Sequence, residues 1–323
     1  MTAVDALVIG AGVAGLTTAI SLAEAGLVTQ VVTAQPPSRT TSAAAGAIWG
    51  PVRCGPPQRC LEWARTGLSV LSELAAEPTA GVRQVSGREV AAEPASPPQW
   101  LDLLPGGVRM CHAGELPEGF ASGWSYTAPV VTMPVYLDYL LARFRACGGT
   151  VSVAAVSSLA SADGPVADAP VVVNCSGIGA RDLVPDPEVV PVRGQVVVLR
   201  NPGIEEFYID HTLHGTDYVY LFPHGDLVLL GGTAEDGAWD LAARPAVTER
   251  IVRDCSAVFP RLREAEIVEH RVGLRPCRPS VRLDAADLGG GRVLWHNYGH
   301  GGGGVTLSWG CAREITEAVL AGA

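Results

Sequence analysis

Ala6-Leu-Val-Ile9-Gly10-Ala-Gly12-Val-Ala-Gly15 is the stretch that decides how this chain folds. Its first four residues are apolar without alternation, as in a parallel strand buried on both faces. The G-x-G-x-x-G turn that follows gives one glycine to the tight bend, one to close approach by a pyrophosphate and one to packing of helix against strand. Residues 16–25 carry apolar and small side chains at helical spacing and stop at Gly26. A second apolar run over 29–33 completes a βαβ unit of about 30 residues. The unit reads as a dinucleotide site: Ile9, Gly10, Gly12, Val13, Ala14 and Gly15 surround the phosphates, and the helix N-terminus supplies N–H groups and positive potential. It departs from the pattern at one point. The second strand ends Val31-Val-Thr33-Ala-Gln35, with no acid for the ribose hydroxyls, so Thr33 or Gln35 takes that place.

The rest of the chain is consistent with a globular protein. With 48% apolar and 17% charged residues, it lies far from disordered compositions, and 323 residues favour two joined domains over one. The formal charge, 23 − 33 = −10, opposes nucleic acid and anionic membranes as partners. No apolar run reaches the roughly 18 residues of a membrane span, and 6–9 lacks the basic flank of a signal peptide. A cytoplasmic location is the expectation, and a homodimer is left open. The eight cysteines show no C-x-x-C spacing, which argues against a structural zinc site; Cys54 and Cys60 flank a Gly-Pro-Pro turn and could pair.

Further along, 39–51 is small and polar, a helix follows at about 57–75, and Pro and Gly punctuate 76–128 as short strands and turns. A helix at 134–146 and the strand Val171-Val-Val-Asn174 return to the nucleotide domain. From 192 the pattern turns β-rich, at 195–200 and 218–231, followed by a helix at about 246–259. The chain closes with the strand Val293-Leu-Trp295, a loop Gly301-Gly-Gly-Gly304 and a helix over 305–320. The fold class is therefore α/β, a Rossmann-like domain interleaved with an antiparallel-sheet domain. We assign 1–75, 134–190 and 275–323 to the former and 76–133 and 191–274 to the latter.

Two clusters carry chemistry. His296-Asn-Tyr-Gly-His300 has metal-like i, i+4 histidine spacing but no accompanying glutamate, and glycines follow at once, so no metal is expected. The second helix N-terminus at Gly304-Val305-Thr306 instead suits a developing anion. Gly273-Leu-Arg275-Pro-Cys-Arg278-Pro-Ser-Val-Arg282 holds three arginines between prolines, and an arginine fork grips a carboxylate in bidentate fashion. Charge alone does not say which of the three does so.

Together with Thr40-Thr-Ser-Ala-Ala-Ala-Gly-Ala-Ile-Trp49, Val173-Asn-Cys-Ser-Gly177, Val192-Arg-Gly-Gln195 and Leu230-Gly-Gly-Thr233, these blocks resemble the D-amino-acid oxidase family of FAD enzymes over nearly the whole chain. The segment 76–118 matches poorly. The resemblance implies FAD as cofactor, and a small D-amino acid and oxygen as partners. It implies that Arg275 pairs with the substrate carboxylate and also borders the flavin, that Tyr220 hydrogen-bonds the carboxylate, and that the carbonyl of Gly302 accepts from the amino group. It places Gly301, Gly303, Gly304, Val305 and Thr306 at the flavin pyrimidine edge. Thr40, Thr41, Ser42, Gly46, Ala47 and Ile48 would contact other parts of FAD, and Val156, Ser176 and Gly177 the adenosine half. Arg278 keeps a structural role. Hydride would leave Cα for flavin N5, and the imino acid would hydrolyse to a 2-oxo acid and ammonia while oxygen yields hydrogen peroxide.

Tyr208-Ile-Asp210-His211, expected beside the substrate side chain, offers an acid and so favours neutral or basic substrates. A D-aspartate oxidase or glycine oxidase is the alternative, and a silent FAD-binding protein a more distant one. The short connection from His211 to Tyr220, with Thr216 where an aromatic gate would stand, suggests an open mouth.

Overall fold

The computed structural model describes residues 3–159, 166, 168–214 and 217–322. In chain order the elements begin β1 (Ala6–Ile9), α1 (Val13–Glu24), β2 (Thr29–Thr33), α2 (Pro57–Leu74), β3 (Val82–Ala91), β4 (Arg109–Met110), β5 (Ser122–Val131) and α3 (Met133–Ala146). There follow β6 (Thr150–Val153), β7 (Val171–Asn174), α4 (Ala180–Leu183), β8 (Val190–Arg200), β9 (Phe207–His214), β10 (Asp217–His224), β11 (Leu227–Thr233) and β12 (Glu235–Asp236). The last are α5 (Pro245–Val258), β13 (Ile267–Gly289), β14 (Arg292–His300) and α6 (Gly304–Leu320).

All of these strands belong to one sheet, in the order β4-β5-β3-β9-β10-β11-β8-β13-β14-β7-β1-β2-β6, with β12 also on β8. From β14 to β6 every pairing is parallel, which is why β1 is buried on both faces and reads as a continuous apolar run. From β5 to β14 the pairings are antiparallel, except for the parallel contact of β3 with β9. The expected α/β class and its two sheet types are both present, and β13 joins them.

Two elements differ from the sequence expectation. The stretch expected as short strands contains β3 and β5, each of ten residues and paired along their full length. The proline-stiffened arginine segment lies inside β13, a 23-residue strand. Pro279 is tolerated there because the pairing with β14 shifts register between Cys277 and Arg282, so that ladder does not need its N–H, while Pro276 stands opposite Pro191 of β8.

Helix packing fixes where the two glycine loops point. A Cβ on Gly15 would overlap the carbonyl oxygen of Gly10, so α1 rests directly on the turn that precedes it. A Cβ on Gly67 would overlap the Thr306 carbonyl, and one on Gly310 the backbone of Trp63, so α2 crosses the first turn of α6 at van der Waals contact. Trp63, Leu68, Leu71, Leu307, Cys311 and Ile315 fill the surrounding core.

Candidate active site

The nucleotide end forms at the C-terminal edge of the parallel strands, where open α/β sheets bind ligands. Gly10 adopts φ +105°, and a Cβ there would lie 2.5 Å from the Cys175 carbonyl oxygen, so only glycine fits this crossing of β1 and β7. Gly12 faces the polar segment at 40–42: a Cβ would lie 3.1 Å from Ser42 Oγ, which accepts from Val13 N at 3.0 Å. Ile9 ends β1, and Ala14 and Gly15 stand in the first turn of α1, which carries no acid that would repel a phosphate.

Thr33 is buried at the end of β2, its hydroxyl donating to Gln35 O at 2.7 Å and accepting from Ala11 N at 3.2 Å. It is thus committed to closing the turn. Ser176 donates to Asn174 Oδ1 at 2.6 Å, and Gly177 turns with φ +58°. Val156 follows β6, whose end is tied to β2 by Ala154 N donating to Thr33 O. Glycines at close approaches, hydroxyls beside a helix N-terminus and an acid-free first turn together fit a dinucleotide.

The segment 40–50 runs from this end to the antiparallel part of the sheet. Thr40 precedes a short 3-10 turn, Thr41–Ala44. Gly46 lies against Phe222 and Leu229, Ala47 turns with φ +51°, and Ile48 bridges Val130. At Gly50 the chain meets α6: Thr306 Oγ1 accepts from Gly50 N and donates to Gly50 O, both at 3.0 Å. Gly301, Gly303, Gly304 and Val305 form the approach to this helix, whose first turn likewise lacks an acid.

The motif glycines of the sheet make room for two large side chains. The Tyr220 ring lies over Gly231 and Gly232, and the Arg275 guanidinium lies over Gly194; a Cβ at Gly231 or Gly194 would overlap them. Arg275 Nη1 donates to Thr233 O at 3.1 Å and reaches Tyr220, so the two residues singled out as the anchoring pair are neighbours. Burial raises the Tyr220 phenol above its ordinary pKa although Arg275 lowers it, which leaves a neutral hydroxyl donor.

The three arginines now separate. Arg278 pairs with Asp186 at 3.1 Å and with Glu188, and Arg282 pairs with Asp284 at 3.3 Å and Asp186 at 3.6 Å. Among the described residues Arg275 has no acidic partner. A positive charge without an acidic partner in this position leaves its fork available to an anion.

Asp210 does not line the site. In the β9–β10 ladder Tyr220 faces Ile209, whereas Asp210 faces Val219 on the opposite side of the sheet. Its carboxylate accepts from Thr212 N at 2.6 Å. The acid on the Tyr220 face is Glu89, which sequence reasoning missed. Glu89 is buried on β3, in the row that continues through Ile209 to Tyr220. It accepts from Trp124 Nε1 at 3.1 Å and from Tyr126, and it holds His211. Burial works against charge on His211, but the hydrogen bond and charge of Glu89, followed by the charge of Asp210, raise its pKa. Thr216 lies outside the described residues.

The histidines of the glycine block serve the core. Burial lowers His300 to about 4, and burial with the charge of Arg282 lowers His296 to about 4. His300 Nε2 meets Asn297 Oδ1 at 3.0 Å, and no group of residues that could hold a metal ion occurs among the described residues. Cys54 and Cys60 are free thiols, as are the other six cysteines.

These histidines carry a pH signature. His224, also lowered to about 4 by burial and Arg271, joins them. Between pH 6.5 and about 4 the unfolded chain binds protons at all three sites and the folded chain does not, so stability falls as pH falls through this window. His211, with its raised pKa, opposes this trend but is a single site. The melting temperature should drop steadily from pH 7 to pH 5; a flat profile would show that the histidines are protonated in the fold.

Parallel strands with a glycine turn under their first helix, joined to antiparallel strands that bring Arg275 and Tyr220 together, define a nucleotide-dependent enzyme fold. The model of the family described as FAD dependent oxidoreductase matches residues 5–318, and the chain belongs to that family, with FAD as cofactor. It is 49% identical over 318 residues to a D-amino-acid oxidase of Rubrobacter xylanophilus, covering 98% of this chain and 96% of that one. A D-amino-acid oxidase of Streptomyces coelicolor is 44% identical over 314 residues, covering 97% of this chain and 96% of its own. Among solved structures, a glycine oxidase from Bacillus cereus shares the fold at TM-score 0.81 and 20% identity, over 98% of this chain and 95% of that one. No helix among the described residues is long and apolar enough to cross a membrane.

Proposed function

We propose that this protein is an FAD-dependent oxidase of small D-amino acids, converting them to imino and then 2-oxo acids with release of ammonia and hydrogen peroxide. The observation that carries this reading is Arg275, an arginine without an acidic partner among the described residues, beside a protonated Tyr220 and over Gly194. Arg275 grips the substrate carboxylate with two N–H groups and Tyr220 donates a third hydrogen bond. The Gly302 carbonyl accepts from the amino group, and with both ends pinned the Cα–H has one orientation. When bound, FAD would supply the hydride acceptor and the path of electrons to oxygen. The first turns of α1 and α6, with the segment 40–48 and the ends of β2, β6 and β7, hold it.

Neutral substrates are favoured over D-aspartate because His211, in the row beside Tyr220, is already answered by Glu89. One unpaired cation among the described residues of the site suits one carboxylate, which leaves neutral and basic side chains unopposed. The division into 1–75, 134–190 and 275–323 for cofactor, and 76–133 and 191–274 for substrate, belongs to the same proposal, as does a cytoplasmic location, in keeping with the eight unpaired cysteines.

Purified holoprotein incubated with D-alanine, D-lysine, D-aspartate and glycine, with peroxide as readout, tests this reading. D-Alanine should give the highest kcat/KM and L-alanine none; a clear preference for D-aspartate or glycine would transfer the assignment to the corresponding alternative.

A further inference from the structure

Arg53 stands in a position that the roles above leave unexplained. It follows the flavin-side segment and adopts φ +51°, in the left-handed region that costs a non-glycine residue energy. Its backbone presses on the loop before α6: a Cβ on Gly301 would overlap the Arg53 carbonyl, and one on Gly302 would lie 3.1 Å from the Val52 carbonyl. Its side chain then leaves this wall and crosses to the sheet.

There Arg53 Nη2 donates to Tyr218 Oη at 2.6 Å, with the guanidinium 5.8 Å from the centre of the Tyr218 ring. Arg53 Nη1 lies 3.6 Å from Asp236. One partner lies on the strand of Tyr220, and the other on β12, beside β8. Tyr218 stands two residues before Tyr220 on β10, and Asp236 pairs with Val192, which in turn pairs with Arg275. The strand neighbour of Asp236, Glu235, is held by Arg193, which is fully buried, at 2.7 Å and by Arg244 at 2.6 Å, while Asp236 is exposed. Arg53 itself is 44% exposed, so the bridge faces solvent.

We propose that Arg53, clasped to Tyr218 and Asp236, is the gate residue of this active site: it spans the mouth above Arg275 and Tyr220, and its release sets how fast ligands pass and how bulky a side chain is admitted. This rests on the assignment of Arg275 and Tyr220 as the carboxylate anchor. A solvent-exposed clasp of one hydrogen bond and one ion pair is weak enough to open on each turnover, yet it obstructs any side chain longer than a few atoms. It reaches across from the flavin side.

The test uses holoenzyme of the unmodified chain, Arg53→Ala and Tyr218→Phe. Stopped-flow mixing with benzoate, a planar unreactive carboxylate, reports association and dissociation through the flavin spectrum. Both rates should rise together in Arg53→Ala by about tenfold, the factor carried by one charge-assisted hydrogen bond, with little change in Kd. The ratio of kcat/KM for D-phenylalanine to that for D-alanine should rise by a similar factor. Tyr218→Phe, which keeps the ring and removes only the hydroxyl, should move both quantities in the same direction by less. A merely structural arginine would lower stability without changing the ratio. Unchanged benzoate rates in both variants, with full flavin content, would overturn the gate. Absence of peroxide from every D-amino acid would instead overturn the oxidase reading, whichever way the benzoate rates move.

Discussion

Arg275→Leu is expected to reduce kcat/KM for D-alanine by about 10²- to 10³-fold, most of it in KM. A buried, hydrogen-bonded charge pair that loses one partner costs about 2–5 kcal/mol, and each 1.4 kcal/mol is about tenfold. The loss is large because the substrate carboxylate would then be desolvated beside Tyr220 with no cation to meet it. Gly194→Ala should reproduce part of the effect without altering the arginine, since the new methyl would overlap the guanidinium and push it aside. Arg278→Leu should behave differently: Asp186 and Glu188 would lose a partner, so thermal stability falls while KM holds. Steady-state kinetics with D-alanine and a thermal melt of each variant separate the cases. If KM follows Arg278 and ignores Arg275, the carboxylate is held elsewhere.

Gly15→Ala should yield a protein that folds but has lost most of its flavin. The added methyl would overlap the Gly10 carbonyl, which is backbone and cannot rotate away. Helix α1 must therefore lift from the turn, at an overpacking cost of about 1–3 kcal/mol, and its N-terminal N–H groups move off the phosphate position. The affinity for FAD should fall by about 100-fold, the factor corresponding to about 2.7 kcal/mol. The ratio of flavin absorbance to protein absorbance, followed by titration with added FAD, measures this directly. Full flavin content after purification would mean that the helix shifts without disturbing the cradle.

What could be read in advance depended on how local the physics was. The βαβ opening was legible because strand, glycine turn and helix lie within 30 residues and each glycine answers to a backbone contact. The proposed anchoring pair was suggested only by its motif. Nothing in the composition of 273–282 said that Arg275 would be unpaired and Arg278 paired, because Asp186 and Glu188 reach Arg278 from about 90 residues away. Glu89 was invisible for the same reason. A single acid in a stretch punctuated by glycine and proline looks like a surface residue until Trp124, Tyr126 and His211 arrive from β5 and β9. Asp210 was misplaced by a single position: a neighbour in sequence points to the other side of a pleated strand, and only the ladder reveals which side carries Tyr220. Strand β13 was hidden because its two prolines interrupt the pattern by which strands are usually found.

That strand has a consequence for motion. Because β13 runs unbroken from the ladder with β8 into the ladder with β14, the halves of the molecule have no hinge between them. Opening like a pair of jaws would mean bending that shared strand and disturbing the ladders on both sides of it. Whatever swings aside to admit a ligand must be small and hung from the rim. Changing what this molecule accepts is thus a matter of trimming a few rim side chains, while the distance between the carboxylate grip and the cofactor cradle stays as fixed as the spacing of marks on a ruler.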